Sequence, residues 1–309
     1  MASAAVEGTA VPGSAEKAGP EPRAFWGLIG RSPREWLPVV LAIVAFAVLY
    51  AQPMSLLVRD WWNDPEAGHG LLLGPLALFL AWKRGLVQPQ PQRVLGMVLL
   101  VGSVLLRYMS GLAAELFTMR MSMLGAAFGL VIFLYGLAQI RRWWLPIALL
   151  LLSVPLPAIV LSSLAFPLQL KASQMGAALL EWRHVPVAVA GNVIHLPGRT
   201  LFVTEACSGL RSLTALIALG VLIGGLWLRS PWMRVLLLAL TVPVAMILNG
   251  IRIFFTGFLV YFVSPGLGEG FMHYTEGWVI FAVAFAILGA TAWLLAFGEN
   301  AWRDRRSAS

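Results

Sequence analysis

Charged residues are scarce in this chain: Asp, Glu, Lys and Arg make up 12% of its 309 residues, whereas hydrophobic residues make up 59%. Soluble domains carry roughly 25% charged residues, so the composition excludes an ordinary water-soluble fold. Several apolar runs approach or exceed the roughly 18–20 residues that cross a bilayer. The segments of about 10 alternating residues typical of membrane β-barrels are missing. The composition therefore predicts an all-α polytopic membrane protein.

Cysteine and metal-binding motifs are also nearly absent. Cys207 is the only cysteine, so no intramolecular disulfide can form. The four histidines do not have metal-ligand spacing, and HExxH, CxxC, P-loop and GxGxxG motifs are missing. We therefore expect no metal and no cofactor. The net charge of +8 comes from basic residues dispersed between apolar segments, which fits membrane topology better than nucleic-acid binding.

The chain divides into three predicted regions. Residues 1–36 are rich in Ala, Gly, Pro and Glu and lack the apolar core of a secretory signal peptide, which predicts a flexible cytoplasmic tail. Residues 37–297 form the membrane-embedded domain, and residues 298–309 a basic cytoplasmic tail.

About eight transmembrane helices are predicted from the apolar runs. Their approximate bounds are 37–58, 69–82, 94–114, 116–140, 143–166, 208–228, 235–262 and 278–297. Pro155 and Pro157 should kink or end the fifth span, because proline lacks the N–H that a helix interior requires.

Basic residues in alternate loops predict the orientation. With about eight spans and a cytoplasmic N-terminus, they all fall on the cytoplasmic side, together with the C-terminus. They are Arg31, Arg34, Lys83, Arg84, Arg93, Arg141, Arg142, Arg229, Arg234, Arg303, Arg305 and Arg306. Tryptophans near span ends fit interfacial belts: Trp61, Trp62, Trp143, Trp144, Trp182 and Trp278.

A polar interval separates the fifth and sixth predicted spans. Its first part, residues 167–183, is predicted to form a short extracytoplasmic amphipathic helix. The apolar residues at helical spacing are Leu168, Met175, Leu179 and Trp182. The second part, residues 185–205, alternates around Gly-Asn and Pro-Gly turns, which favours a β-hairpin above the membrane.

The stretch TEACSGLRSL, residues 204–213, then falls at the outer end of the sixth span. A helix N-terminus and the cation of Arg211, four residues after Cys207, both favour a thiolate. A lone cysteine in an apolar protein is otherwise most often a small buried hydrophobe. Ser208 is a second available nucleophile. Glu205 is a supporting residue that could orient Arg211, Arg252 or His273, and the sequence does not choose among them.

Two further features fall at the same outer level. Asn249 and Arg252 share a face of the seventh span. Counted outward from Arg234 at the cytoplasmic end of that span, helical rise puts Arg252 about 27 Å away, near the outer boundary of the membrane. An intramembrane arginine is a functional candidate or else a snorkelling or ion-paired residue. His273, before the eighth span, can transfer protons or be an ordinary interfacial residue. His69 also lies on the outer side and either lines the same cavity or caps the second span.

Together these groups supply the parts needed for acyl transfer: a thiolate that attacks a carbonyl, a cation that holds the oxyanion, and an imidazole that moves protons.

These residues resemble the exosortase/archaeosortase family of membrane-embedded cysteine transpeptidases. The resemblance rests on EACSGLRSL, NGIRI and MHYTEGW in that order, with GHGLLLGPLALFLAWKRG similar to the family's second span, and covers roughly 37–297. It implies that Cys207 is the nucleophile, that Arg252 stabilises the oxyanion or substrate carbonyl, and that His273 is the acid/base. Some family members carry an extra soluble C-terminal domain, which we do not expect after residue 297, so the chain looks closer to the short, type-B-like exosortases.

The resemblance also implies the biological setting. Substrates would be membrane-anchored secreted proteins with a C-terminal Pro-Glu-Pro-type sorting signal (PEP-CTERM). The acyl group would pass to an unknown acceptor nucleophile at the cell surface, in connection with exopolysaccharide production. The enzyme would reside in the bacterial inner membrane with its site facing the periplasm.

Two other functions remain open from the residues alone. A transporter or assembly factor for polysaccharide export would use Arg211 and Arg252 to line a permeation path, although no internal repeat is present. An intramembrane serine protease would use Ser208, for which the adjacent Cys207 is the better nucleophile.

Overall fold

The computed structural model describes residues 33–64, 66–202, 210–263 and 271–307, most of which are helical. The helices are α1 (Pro33–Asn63), α2 (Gly70–Arg84), α3 (Arg93–Leu112), α4 (Leu116–Tyr135), α5 (Leu137–Arg142), α6 (Trp144–Leu152), α7 (Ala158–Trp182), α8 (Leu210–Trp227), α9 (Pro231–Phe262) and α10 (Phe271–Ser307). Helices α1 and α10 therefore extend beyond residues 37–297 at both ends. Most of the predicted N-terminal tail, residues 1–32, lies outside the described residues.

Five stretches of helix in the described part of the chain are long and apolar enough to cross a membrane: Val40–Asn63, Arg93–Leu112, Leu116–Tyr135, Pro231–Phe262 and Val279–Arg306. They establish an all-α polytopic membrane protein. Helix α2 has 15 residues, about 22 Å at helical rise, and the apolar part of α8, Leu213–Trp227, is also short. Both are shorter than the roughly 30 Å hydrocarbon core, so the number of spans stays a prediction.

The fifth predicted span is not one helix. Helix α6 ends at Leu152, and the chain resumes as α7 at Ala158, with Pro157 at the helix N-cap. The prolines break the helix because they cannot donate to the preceding turn. The prediction of a separate short amphipathic helix over residues 167–183 was also wrong, since residues 167–182 are the C-terminal part of α7, which is 25 residues long.

Helix α7 packs against α9 along a stripe of mostly small residues, with glycines of α9 facing the larger Met175 and Leu180. The buried stripe is Gln169, Ala172, Ser173, Gly176, Ala177 and Leu180. A Cβ on Gly176 would lie 2.4 Å from Ile253 Cγ2, and one on Gly257 would lie 2.8 Å from Leu180 Cδ1. Small residues allow helix backbones to approach closely inside a membrane. The predicted apolar face is therefore only partly the packing face: Met175 contacts Gly250 of α9, whereas Trp182 is 73% exposed.

The extramembrane segment after α7 forms three strands rather than a two-stranded hairpin. Strands β1 (Ala188–Ala190), β2 (Val193–Leu196) and β3 (Arg199–Phe202) form an antiparallel sheet in the order β1-β2-β3. Both turns were visible in the sequence. Gly191 and Gly198 have φ of 65° and 76°, values that favour glycine.

The sheet packs on the C-terminal ends of α7 and α9. Ile194 is fully buried with Ala172 and Ile253, and Leu196 is buried with Leu180 and Val260. We call this end of the molecule the sheet end. The chain leaves β3 at Phe202, directly before the segment that contains Cys207.

The opposite end, which we call the basic end, brings together the loops predicted to be cytoplasmic. Arg84 Nη1 donates to the carbonyl of Arg142 at 2.8 Å, and both Arg84 and Arg234 lie over the Trp144 ring. Glu299 accepts hydrogen bonds from the backbone N–H groups of Arg229 and Ser230 and pairs with Arg303 at 2.8 Å. The predicted grouping of these residues at one end is therefore present in the structure.

Candidate active site

Three helices, α8, α9 and α10, share a buried apolar core that includes Leu216, Leu237 and Leu288. Gly220 of α8 faces Thr241 of α9, and Gly224, one turn later, faces Leu237. The two helices are therefore antiparallel, and the first turns of α8 approach the part of α9 that contains Asn249 and Arg252.

A pocket opens between these three helices. Its lining consists of Leu216 from α8, then Ala245, Leu248, Asn249 and Arg252 from α9, and Ile280, Phe281 and Ala284 from α10. Asn249 is 6% exposed and Arg252 is 9% exposed. The predicted shared face of Asn249 and Arg252 is confirmed, and both polar groups enter an otherwise apolar cavity. Among the described residues, Arg120 is the other arginine that is buried to this degree. Because a buried arginine is a functional candidate, we take the pocket that contains Arg252 as the candidate site.

The other two proposed catalytic residues lie on the same helices or directly before them. His273 is in the first turn of α10, seven residues before Ile280, which is a spacing of about two helical turns. Arg211 is the second residue of α8. Glu205, Cys207 and Ser208 lie outside the described residues, and Cys207 precedes the first residue of α8 by three positions. Of the proposed residues, the structure brings Asn249 and Arg252 together in the pocket.

His69 contacts a different part of the molecule. Its Nε2 lies 3.2 Å from the carbonyl oxygen of Leu152, the last residue of α6. The neighbouring carbonyl, that of Ser153, accepts a hydrogen bond from Trp61 Nε1 at 2.7 Å. Residues at the end of α1 and the start of α2 thus satisfy carbonyls that the end of α6 leaves without helical partners. His69 does not make a side-chain hydrogen bond that would cap α2.

The glycines of the GHGLLLGP stretch accommodate Trp61. A Cβ on Gly70 would lie 2.1 Å from Trp61 Nε1, and one on Gly74 would lie 3.0 Å from the same indole. Trp61 was predicted to belong to an interfacial belt, but it also forms this specific contact between α1, α2 and the break after α6.

Sequence reasoning missed one buried ion pair. Arg120 Nη2 lies 2.5 Å from Asp60 Oδ2, and the Arg120 side chain is 4% exposed. The predicted first span ended at residue 58, whereas Asp60 still lies in α1 and connects that helix to α4. The signal was present, because an arginine inside an apolar span calls for a partner or a cavity.

The α4 terminus next to this pair is capped by Glu115, whose carboxylate accepts hydrogen bonds from the N–H groups of Phe117 and Thr118. Hydrogen bonds from the Thr118 side chain and backbone lower the pKa of Glu115 below its ordinary value. Among the described residues, no group of three or more His, Cys, Asp or Glu side chains lies close enough together to hold a metal ion.

A guanidinium held in an apolar pocket has a clear chemical use. A charge in low-dielectric surroundings interacts more strongly with an opposite charge than it would in solvent. An amide on the adjacent turn can donate a second hydrogen bond. The chemistry of these two side chains is therefore suited to holding negative charge.

Comparison with known proteins identifies the family. A family model described as Transmembrane exosortase (Exosortase_EpsH) matches residues 61–290, well over half of the chain. No curated protein and no solved structure gives a match. The matched region begins at the end of α1, includes the Arg252 pocket, and contains Cys207 and His273. The chain belongs to the transmembrane exosortase family.

Proposed function

We propose that this exosortase is a membrane-embedded cysteine peptidase and transpeptidase that cleaves C-terminal sorting signals of secreted proteins. The observation that carries the proposal is the burial of Arg252 beside Asn249, in a pocket formed by the three helices associated with the three sequence motifs. Family membership supports the processing of sorting signals. The finer assignments rest on the residues.

In the proposed reaction, the Cys207 thiolate attacks the carbonyl carbon of the scissile peptide bond. Arg252 stabilises the oxyanion, with Asn249 as a second donor. The C–N bond then breaks, and protonated His273 gives its proton to the departing amine, leaving a thioester on Cys207. An acceptor nucleophile attacks that thioester while neutral His273 removes its proton, the C–S bond breaks, and the Cys207 thiolate and protonated His273 are restored.

Supporting roles fall to nearby polar groups. Arg211 favours the thiolate and can attract the glutamate of a Pro-Glu-Pro-type motif, whereas Glu205 and Ser208 flank the nucleophile in sequence. His69 acts at a distance, through its contact with the Leu152 carbonyl at the end of α6.

The proposed setting follows from the same chemistry. A membrane-anchored substrate delivers its scissile bond at the membrane surface, and β3, at the sheet end, ends five residues before Cys207 in the sequence. We place this end at the periplasmic face of a bacterial inner membrane. The partners are secreted proteins with PEP-CTERM-type signals and an unidentified surface acceptor, in cells that produce exopolysaccharide.

The test is co-expression of the full chain with an epitope-tagged secreted protein that carries a C-terminal Pro-Glu-Pro signal. Cys207→Ala should abolish processing, and Arg252→Gln should slow it by about 100-fold, since loss of one oxyanion donor costs about that much. Membrane levels of each variant are measured in parallel. Arg107→Gln is the matched control, because Arg107 is an arginine of another helix, bonded to Gln52 at 3.0 Å, and should leave processing unchanged.

Normal processing by Cys207→Ala would overturn the proposal. If Ser208→Ala lost processing while Cys207→Ala kept it, the protein would be a serine enzyme. If no variant affected processing but polysaccharide export required Arg211 and Arg252, the transporter or assembly-factor function would replace the proposed one.

A further inference from the structure

The basic end contains a second group of charges, well away from the Arg252 pocket. Two arginines from different segments lie over one indole, that of Trp144, and a third, Arg142, is hydrogen-bonded to one of them. The Arg84 guanidinium carbon is 5.6 Å from the ring centroid and that of Arg234 is 4.5 Å from it. Arg142 Nε donates to the carbonyl of Arg84 at 2.5 Å. We call Arg84, Arg142, Arg234 and Trp144 the arginine cluster.

Each arginine already binds the end of a helix. Arg84 and Arg142 donate to each other's carbonyls, which close α2 and α5, and Arg234 Nε and Nη2 both donate to the carbonyl of Leu228 after α8. A guanidinium has five N–H groups, so most donors of the cluster remain for another acceptor. In the part of the chain that the structure describes, none of these remaining nitrogens is both buried and without a hydrogen-bond partner.

Helix capping alone does not balance the charge. A helix C-terminus carries at most about −0.5 of an elementary charge, whereas the cluster carries three full positive charges. In the part of the chain that the structure describes, no carboxylate forms an ion pair with any of the three arginines. Partial burial, and then the charges of Arg234 and Arg142, lower the pKa of Arg84 below its ordinary value. The cluster is therefore complementary to an anion with several oxygens.

The surroundings indicate what that anion is attached to. Exposed tryptophans ring the same end: Trp82 is 59% exposed, Trp227 53% and Trp232 80%. Tryptophan is enriched at the headgroup level of a bilayer. Exposed apolar side chains continue from there along α2 and α9, for example Leu78 at 65% and Val235 at 56%. An anion at this level with apolar surface below it matches a phospholipid.

We propose that Arg84, Arg142 and Arg234 bind the phosphate of an anionic phospholipid headgroup at the basic end. Basic pockets between transmembrane helices are suited to this role, and guanidinium groups bind phosphate oxygens in pairs. The bound lipid connects the ends of α2, α5, α8 and α9, which the arginines already cap. This proposal does not depend on the proposed catalytic function.

The test uses the purified full chain in lipid nanodiscs of phosphatidylcholine with increasing phosphatidylglycerol, and native mass spectrometry of the bound lipids. We expect phosphatidylglycerol to be retained in preference to phosphatidylcholine and to raise the thermal unfolding midpoint. Arg84→Gln and Arg234→Gln should each lower that preference about ten-fold, because a charge-assisted hydrogen bond contributes roughly that factor. Glutamine keeps an N–H donor for the helix-end carbonyl while removing the charge.

Arg141→Gln is the matched control. Arg141 is an exposed arginine adjacent to Arg142 that lies outside the cluster, and its loss should change the preference by less than about two-fold. Equal effects of Arg141→Gln and Arg84→Gln would overturn the proposal in favour of general surface charge. Stabilisation by inorganic phosphate in pure phosphatidylcholine, with no added effect of phosphatidylglycerol, would overturn the lipid source. Lipid counts are taken on the folded fraction from gel filtration, so an unstable variant still gives a decisive result.

Discussion

Two buried arginines in this protein have different surroundings and, in our interpretation, different purposes. Arg120 pairs with the Asp60 carboxylate between α1 and α4, so its charge stabilises the packing of two helices. Arg252 lines a cavity whose other walls are mainly apolar, and we propose that its charge serves catalysis there. Both are arginines in apolar helices, and only their neighbours distinguish them.

The Asp60–Arg120 pair gives a prediction about stability. Asp60→Asn leaves a guanidinium that is 4% exposed without its carboxylate. Because the Asp60 side chain is itself 35% exposed, we expect the free energy of unfolding to fall by about 1–3 kcal/mol. The double variant Asp60→Asn/Arg120→Met removes both charges and should recover most of that loss. Chemical unfolding in detergent measures both. A double variant as unstable as the single one would contradict this account.

At the scale of elements, the pairing of α7 with α9 determines where the sheet sits. Ala172 and Gly176 approach Ile253, whereas Leu180 approaches Gly257, so contact positions rise together along both helices and the two run in the same direction. The sheet then packs on their joint C-terminal ends. The small-residue stripe on α7 therefore determines where the sheet packs, and β3 of that sheet precedes Cys207 in the sequence.

Glycine substitutions test that pairing. A Cβ on Gly176 would lie 2.4 Å from Ile253 Cγ2, and one on Gly250 would lie 2.9 Å from Met175 Cβ. We expect Gly176→Ala and Gly250→Ala to lower the free energy of unfolding by about 1–3 kcal/mol each, because the helices must separate.

Gly102→Ala in α3 is the matched control for these substitutions. Gly102 has no atom within 4 Å of an added Cβ, and alanine favours a helix by up to about 1 kcal/mol. This variant should therefore be neutral or slightly more stable. A loss equal to that of Gly176→Ala would show that the α7–α9 contact is not the cause.

For the whole molecule, the basic end and the sheet end are chemically distinct. Arginines and the Glu299 contacts hold the loops at the basic end. The strands follow the C-terminal end of α7, and α10 begins far along the helix from Glu299. The positive-inside rule predicts that the basic end faces the cytoplasm, and we propose that the Arg252 pocket lies toward the periplasm.

Single-cysteine labelling tests this orientation. In a Cys207→Ala background, Ala190→Cys in the exposed strand β1 and Arg141→Cys in α5 provide one exposed thiol at each end. A membrane-impermeant maleimide added to intact spheroplasts should label Ala190→Cys at once and Arg141→Cys after permeabilisation. The reverse pattern would place the pocket on the cytoplasmic side and contradict the proposed access of secreted substrates.

The sequence by itself determined the membrane class, the approximate helices, the proline break after α6 and the order of the three motifs. These properties depend on short stretches of the chain alone. The hydropathy of a segment is the sum over its own residues, and a proline interrupts the helix in which it lies. The shared face of Asn249 and Arg252 was predictable for the same reason, since helical spacing within one helix needs no partner.

Only the tertiary structure decided which helices touch. The Asp60–Arg120 pair joins residues 60 positions apart, and the α7 face that packs is made of small residues with no strong hydropathy signal. Inside a bilayer the lipid competes equally for large apolar side chains, so close backbone approach and buried polar contacts select the neighbours. Such contacts depend on the fit between two helix surfaces, so the sequence of either helix alone does not predict them.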